Sequence, residues 1–408
     1  MWRIEDGTNS RLQKIDGALK ITQNSELKVT SRMAPVTNMV VSSLKANIYL
    51  LRHIPNETDS QVIVEDIDPV SLEPIKISET LPGGPIWPGS IAVLENGNLL
   101  VVFGNHIHLL DNSLKSLISR ELPYYVPYNG FVTIDDRYIA TKNFGGTLPT
   151  FSPIQNTELP CQILIFDTKD LTIVASIDLD EPSVARLSSC DEDIYVVGIS
   201  KFYKVRFDKA NRSLTKIWAT KYRNFEGQHY GWDCVIHNGY AWFLDNGENT
   251  HKYNGSLSGL GIAESPLHLI RIDLNTRQID YVNIVDKPHG IVANPPILDT
   301  KRNIVVGFDS GNNVLKAFRC DTLEVLWEKD QAHASHMILY QISGELITCD
   351  NTDVVILDIQ TGNELIRIDH QGLLQSVLFM MPGFNRDFYL TTFAAVSRIQ
   401  VIEKPLKY

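Results

Sequence analysis

A short unit recurs along this chain, and it constrains the fold more than any other feature. Its clearest form is Asp358-Ile359-Gln360-Thr361-Gly362-Asn363-Glu364-Leu365, set between the apolar run Val354 to Leu357 and the alternating run Ile366 to Ile368. An Asp followed by a Thr-Gly turn between two short apolar runs is a hairpin signal. Variants begin at Asp68, Asp111, Asp167, Asp208, Asp273 and Asp321. Recurrence at roughly 40–50 residues is the mark of a solenoid, propeller or array.

Each unit also carries an earlier hairpin. Ser90 to Leu94, the turn Glu95-Asn96-Gly97-Asn98 and the run Leu99 to Phe103 form one; Met337 to Tyr340, the turn Ile342-Ser343-Gly344 and Glu345 to Cys349 form another. Four short strands per unit, with few helical patterns, predict an all-β fold, a single β-propeller spanning 1–408. First hairpins begin near Val36, Trp87, Pro127, Ser183, Tyr230, Gly290, Ala334 and Leu373, which gives eight blades, or seven if the first unit is irregular. The last unit ends at Ser397 to Ile402, one strand short. Either Ala18 to Ile21 or Glu26 to Val29 is expected to supply that strand, so that the two termini close the ring and remove open sheet edges.

The units at Asp358 to Leu365 and Asp321 to Trp327 resemble the repeats of the quinoprotein-dehydrogenase-like (PQQ-like repeat) β-propellers. The resemblance covers most of the chain as a repeat pattern. It implies the fold. It does not extend to the quinone cofactor, because there is no vicinal Cys-Cys pair and the six Trp do not recur at one repeat position.

Bulk properties exclude several functions. A net charge of -11, with scattered Lys and Arg, argues against nucleic acid or a membrane surface as partner. Five widely spaced cysteines without a CxxC read as free thiols of a reducing compartment, and the polar start Met1 to Gly7 lacks the apolar stretch of a secretory signal. A cytoplasmic protein is expected. There is no Gly-x-Ser-x-Gly elbow, no phosphate-cradling loop and no dinucleotide fingerprint.

Propeller geometry then places a site. Inner strands start on one face, so the residues at their starts converge on one channel mouth whatever their separation in sequence. Those positions fall near Asn38, Gly89, Tyr128, Val184, Gly231, Asn294, His336 and Gln375, with Trp87, Asn129, Arg186, His229, Trp232, Asp233, His333 and Ser376 beside them. Two long loops on the same face, 142–160 and 245–266, are expected to cover the mouth. The leading reading is a small-molecule enzyme or binding protein for an anionic or aromatic substrate. In it, His336 or His229 moves a proton and Asp233 orients the histidine. Arg186 clamps an anion, or pairs with Asp233 or Glu181. Tyr128, Asn129, Asn294 and Gln375 bind, and Trp87 and Trp232 form apolar walls. Two alternatives stay open. One is a protein-interaction scaffold, which predicts a plugged channel and an exposed apolar rim. The other is a calcium-dependent hydrolase or lactonase, with Asn38, Asp233 and Asn294 as candidate ligands.

Overall fold

The structure is a computed structural model, and it describes residues 2–404 apart from 55–58, 85–88, 136, 146–158, 247–259, 293, 333–335, 352 and 370–378. These residues form 34 strands and no helix. The strands make eight sheets, each running from a largely buried first strand to a less buried fourth. The first strands are Thr37–Ser42, Gly89–Val93, Tyr128–Thr133, Ser188–Cys190, Val235–His237, Ile297–Asp299, Ile338–Tyr340 and Phe379–Pro382. The sixth sheet shows the pattern. Ile304–Asp309, second in its sheet, is buried throughout and reads as a continuous apolar run, whereas Val325–Asp330, at the outer edge, exposes most of its side chains. A strand covered on both faces has no polar side to show, and an edge strand does.

Eight blades arranged as a propeller therefore follow the repeat count. The eighth blade takes its outer strand from the N-terminal end. Ser25–Met33 pairs antiparallel with Ala395–Glu403, from Ser25 opposite Glu403 to Met33 opposite Ala395. The segment Glu26 to Val29 lies inside that strand, so the second of the two expected closures is the one used. A further piece, Lys14–Ile15, adds in parallel to the first strand of blade 7.

Several first strands begin later than the apolar pattern predicts: at Ser188 rather than Ser183, at Val235 rather than Tyr230 and at Ile297 rather than Gly290. The residues before them spend their backbone elsewhere. The Arg186 N–H donates to Asp233 Oδ1 at 2.6 Å, and Pro295 and Pro296 have no N–H to give.

The recurrent Asp closes each outer turn. Asp273 Oδ1 accepts from the N–H groups of Asn275 and Thr276, and Asp358 Oδ1 from those of Gln360 and Thr361. These donated bonds hold the Asp273 carboxyl below its ordinary range. Four residues on, the chain enters the left-handed region at Leu72, Leu171, Arg277 and Gly362. A left-handed leucine costs about 1–3 kcal/mol. Leu72 and Leu171 are fully buried, and burying a leucine returns about 1.5–3 kcal/mol. At Gly362 the space is taken instead by a tryptophan. A Cβ there would lie 2.7 Å from Trp327 Cδ2, and the Trp327 indole N–H donates to the Ile359 carbonyl at 2.8 Å. Gly362→Ala is expected to destabilise the protein by about 1–3 kcal/mol, read as a lowered urea midpoint, with the left-handed strain and the clash adding. An unchanged midpoint would mean that the turn has another accessible conformation.

Candidate functional site

An inner strand has one edge paired within its blade and one edge facing the channel. The N-terminal segment covers those free edges at the lower end of the channel, opposite the face where inner strands begin. Its backbone carbonyls accept in turn from six inner-wall N–H groups. Trp2 accepts from Ser42, Arg3 from Val93, Asn9 from Ser189, Ser10 from Ile236, Gln13 from Leu339 and Ile15 from Gln341, at 2.8–3.0 Å. The Asn9 side chain ties in blade 3 by accepting from the Thr133 N–H at 2.9 Å. Gln13 reaches the carbonyls of Pro295 and Pro296 in blade 6. Residues 2–15 thus form a strap that visits blades 1 to 7 in order, before the chain turns outward to complete blade 8.

This strap carries charge into the channel. Arg11 Nη1 lies 2.8 Å from Asp6, 3.6 Å from Glu5 and 3.8 Å from Asp233. Arg186 reaches Glu5 through Nε at 3.0 Å and Asp233 through Nη1 at 3.3 Å. His336 Nδ1 bonds Asp6 Oδ1 at 2.8 Å. All six side chains are buried. The carboxylates of Glu5, Asp6 and Asp233 offer oxygens within 4.8 Å of one another, as a cation site would. The guanidinium of Arg11 stands among them and supplies positive charge there.

The electrostatics follow from these partners. Burial opposes ionisation of Asp6, but His336 and Arg11 outweigh it and hold the carboxyl down at about 2. For Glu5 burial dominates, and the carboxyl is pushed above its ordinary range against the pull of Arg186 and Arg11. Lys142, fully buried beside this network, donates to the carbonyls of Asn143 and Ser183, and burial lowers its ammonium to about 8.

Phe379, from blade 8, reaches across the ring. The Arg186 guanidinium carbon sits 5.7 Å from its ring centre, and the His336 ring 4.5 Å. Among the described residues, Arg186 Nη2 and His336 Nε2 have no partner, and neither is fully covered. The floor of the upper channel is therefore two nitrogen-bearing groups against one aromatic ring. Phe144, Val184 and Tyr230, with Trp232 packed on them, form an apolar cluster on the wall beside it.

Three residues singled out in the sequence, Arg186, Asp233 and His336, do meet. Their pairing matches expectation for Arg186 with Asp233 and differs from it for the histidine. Asp233 lies against Arg186 and Arg11, and the carboxylate on His336 is Asp6. Arg186 has the internal partner Asp233, while Glu181 is spent on Ser200 and Lys201. Asn129 reaches the Val184 carbonyl, and Asn294 Nδ2 its own neighbour Pro295. Tyr128 is away from the channel. Its hydroxyl donates to Gln162 Oε1 at 2.9 Å, within blade 3. His229 donates its backbone N–H to Asn246 Oδ1. Trp87, His333, Gln375 and Ser376 lie outside the described residues, as do 146–158 and 247–259 of the two long loops. Asp245 clamps the top of blade 5, accepting from the His268 N–H and bonding its Nδ1. Asn143 does the equivalent in blade 3, accepting from the Gln162 N–H, so a neutral side chain suffices for that task.

Glu5, Asp6 and Arg11 were not legible as site residues. They precede the first repeat, in a polar stretch without periodicity.

Comparison with known proteins bears on the fold. No family model matches the chain, and no curated protein matches it. Solved structures do. BamB from Moraxella catarrhalis aligns over 91% of this chain and 98% of its own, with a TM-score of 0.57 and 12% identity. Sqt1 from Chaetomium thermophilum aligns over 94% of this chain and 100% of its own, at 0.64 and 11%. The computationally designed Ika8 protein aligns over 90% and 97%, at 0.59 and 10%. At such identities the likeness concerns architecture alone. The chain is a β-propeller of eight blades that resembles PQQ-like repeat and WD40 propellers at the level of fold.

Proposed function

We propose that the protein binds, and acts on, a small molecule in the upper channel, over a floor built from its own N-terminal strap. The observation that carries this reading is the buried network of Glu5, Asp6, Arg11, Arg186, Asp233 and His336. Stability alone does not call for it. Burying each ion costs several kcal/mol, and well-packed apolar residues close a channel as well or better. What such a network supplies is position: it holds Arg186 and His336 against Phe379 with one nitrogen of each uncommitted. In this reading Arg186 Nη2 binds, His336 Nε2 exchanges a proton with the ligand, and Asp6 orients the imidazole. The five free cysteines fit a reducing, cytoplasmic setting.

The test is a thermal-shift screen of the full chain against a metabolite library, repeated on His336→Gln and Phe379→Leu. Saturable shifts that both variants lose are expected. Hits that neither variant alters would place the ligand elsewhere and sink the assignment.

A second reading, an interaction scaffold, is favoured by one separate observation. Leu44, Val70, Ile342 and Phe384 are large, apolar and about half exposed or more, and all sit on lower-face turns of the neighbouring blades 7, 8 and 1. The Tyr389 ring lies 6.3 Å from Phe384, and its hydroxyl donates to the Pro69 carbonyl, so two of these turns are in one place. A stoichiometric protein partner lost in a Val70→Glu/Phe384→Glu double variant, with no library hit, would favour the scaffold.

A further inference from the structure

The charges at the channel floor and the unpartnered atoms near the inner-strand starts, taken together, point to the kind of molecule that fits. Resting on the small-molecule reading above, we infer that the ligand is uncharged and rich in hydroxyl groups, a polyol or sugar rather than an acid or an amine.

The charges come first. Arg11 and Arg186 face Glu5, Asp6 and Asp233. With Glu5 ionised these five groups sum to one negative charge, and with Glu5 protonated they sum to zero. Lys142 adds one positive charge beside them, so the set is neutral with Glu5 ionised, and an anion that must leave water then meets no surplus positive charge. An organic cation meets the opposite obstacle, since both guanidiniums lie at the floor it would have to approach.

The unpartnered atoms come second. Four residues at or just before inner-strand starts, from four different blades, each leave one buried side-chain atom without a hydrogen-bond partner. They are Asn38 Nδ2 in blade 1, Asn129 Oδ1 in blade 3, Trp232 Nε1 in blade 5 and Asn294 Oδ1 in blade 6. Asn38, Asn129 and Asn294 are 7%, 1% and 0% exposed. Buried polar atoms are almost always bonded, so each of these takes its partner from water or from a ligand that displaces it. Two are donors and two are acceptors. A hydroxyl both donates and accepts, and it satisfies an asparagine whichever way its amide is turned. A carboxylate only accepts and an ammonium only donates, so each would satisfy half of the set.

The aromatic surfaces come third. The Phe379 ring on the floor and Trp232 on the wall offer flat apolar faces, which suit the C–H face of a ring whose hydroxyls point outward.

Calorimetry on the full chain tests this with two uncharged probes, myo-inositol and glucose, and two charged counterparts, glucuronate and glucosamine. At least one uncharged probe is expected to bind, with affinity reduced about tenfold in Asn129→Ala and in Asn294→Ala, the size of one lost hydrogen bond. Asn38→Ala, at the register shift between Thr37 and Met39, carries the same expectation should either of those variants fail to fold. The charged counterparts are expected to bind at least about tenfold more weakly. Equal or tighter binding of glucuronate or glucosamine overturns the inference but leaves the site in place. Failure of both uncharged probes, or crystals soaked with them that show only water on the four atoms, overturns it as well. The metabolite screen with His336→Gln then decides separately whether the site itself stands.

Discussion

Replacing Arg11 by methionine is expected to destabilise the protein by about 3–5 kcal/mol, the cost of stripping one partner from a buried ionic network. Arg11 Nη1 is shared by three carboxylates, and its Nε donates to the Leu187 carbonyl at 2.9 Å. Removing it leaves Glu5, Asp6 and Asp233 mutually repelling in a site from which water is largely excluded. Gly130 makes the site intolerant of adjustment. A Cβ there would stand 3.2 Å from both Arg11 Nη2 and the Arg186 side chain, so the guanidinium fits a backbone surface with little slack. Urea unfolding monitored by fluorescence gives the size of the loss. The triple variant Arg11→Met/Glu5→Gln/Asp6→Asn distinguishes charge from packing. If repulsion is the cause, it regains most of the stability, ending within about 1–2 kcal/mol of wild type. A triple variant no better than Arg11→Met would mean that the loss is one of shape. Hydrogen exchange adds a second reading. The N–H groups of Ser42, Val93, Ser189, Ile236 and Leu339 donate to strap carbonyls and should lose protection together in Arg11→Met.

How much of this was legible before the structure depends on what each feature rests upon. The ring was legible because blades repeat: the Asp turn recurs with its left-handed residue, and one missing C-terminal strand demanded an N-terminal one. The convergence of Arg186, Asp233 and His336 was legible for the same reason, since the ring aligns equivalent positions. What those residues touch was legible only in part. A buried arginine announces that it needs an anion, and Asp233 was one of the two carboxylates expected for it. The anion turned out to be Asp233 together with Glu5, from a segment that occurs once and has no period to read. Tyr128 shows the converse. It occupies an aligned position, but side chains alternate along a strand, and its hydroxyl points to Gln162 inside the blade. Asp233 was read both as the orienter of a histidine and as one of two carboxylates for Arg186, and it is the second pairing that forms, with Arg11 added. The choice of Arg186 and Arg11 was made by geometry across the channel, which sequence spacing does not encode.

Acid should unfold this protein earlier than its carboxylates alone would dictate, and the seam between blades 1 and 2 is the reason. His53 and His108 are both buried, and burial depresses each imidazole to about 4. His53 lies 5.2 Å from the Phe103 ring, and His108 Nε2 meets the Pro82 carbonyl at 2.8 Å. Between an unfolded value near 6.5 and the folded value near 4, the unfolded chain binds more protons than the folded one. Stability therefore falls as pH falls through that window, and it is fully present only above it. A depression of that size corresponds to about 3 kcal/mol for each histidine. Glu5 acts in the opposite sense, because its raised pKa makes the folded form take up a proton more readily, and it offsets part of the loss. Asp6, held at about 2, adds its own loss at lower pH, as the carboxyl is titrated from its unfolded value of about 3.8 downward. The two windows are separable. Urea midpoints measured from pH 7.5 to 3 should fall most steeply between about 6.5 and 4. In a His53→Leu/His108→Gln variant that slope should flatten, leaving the later fall that belongs to Asp6. A variant with the wild-type slope would show that the two histidines are hydrated in solution and that the acid sensitivity belongs to the channel charges.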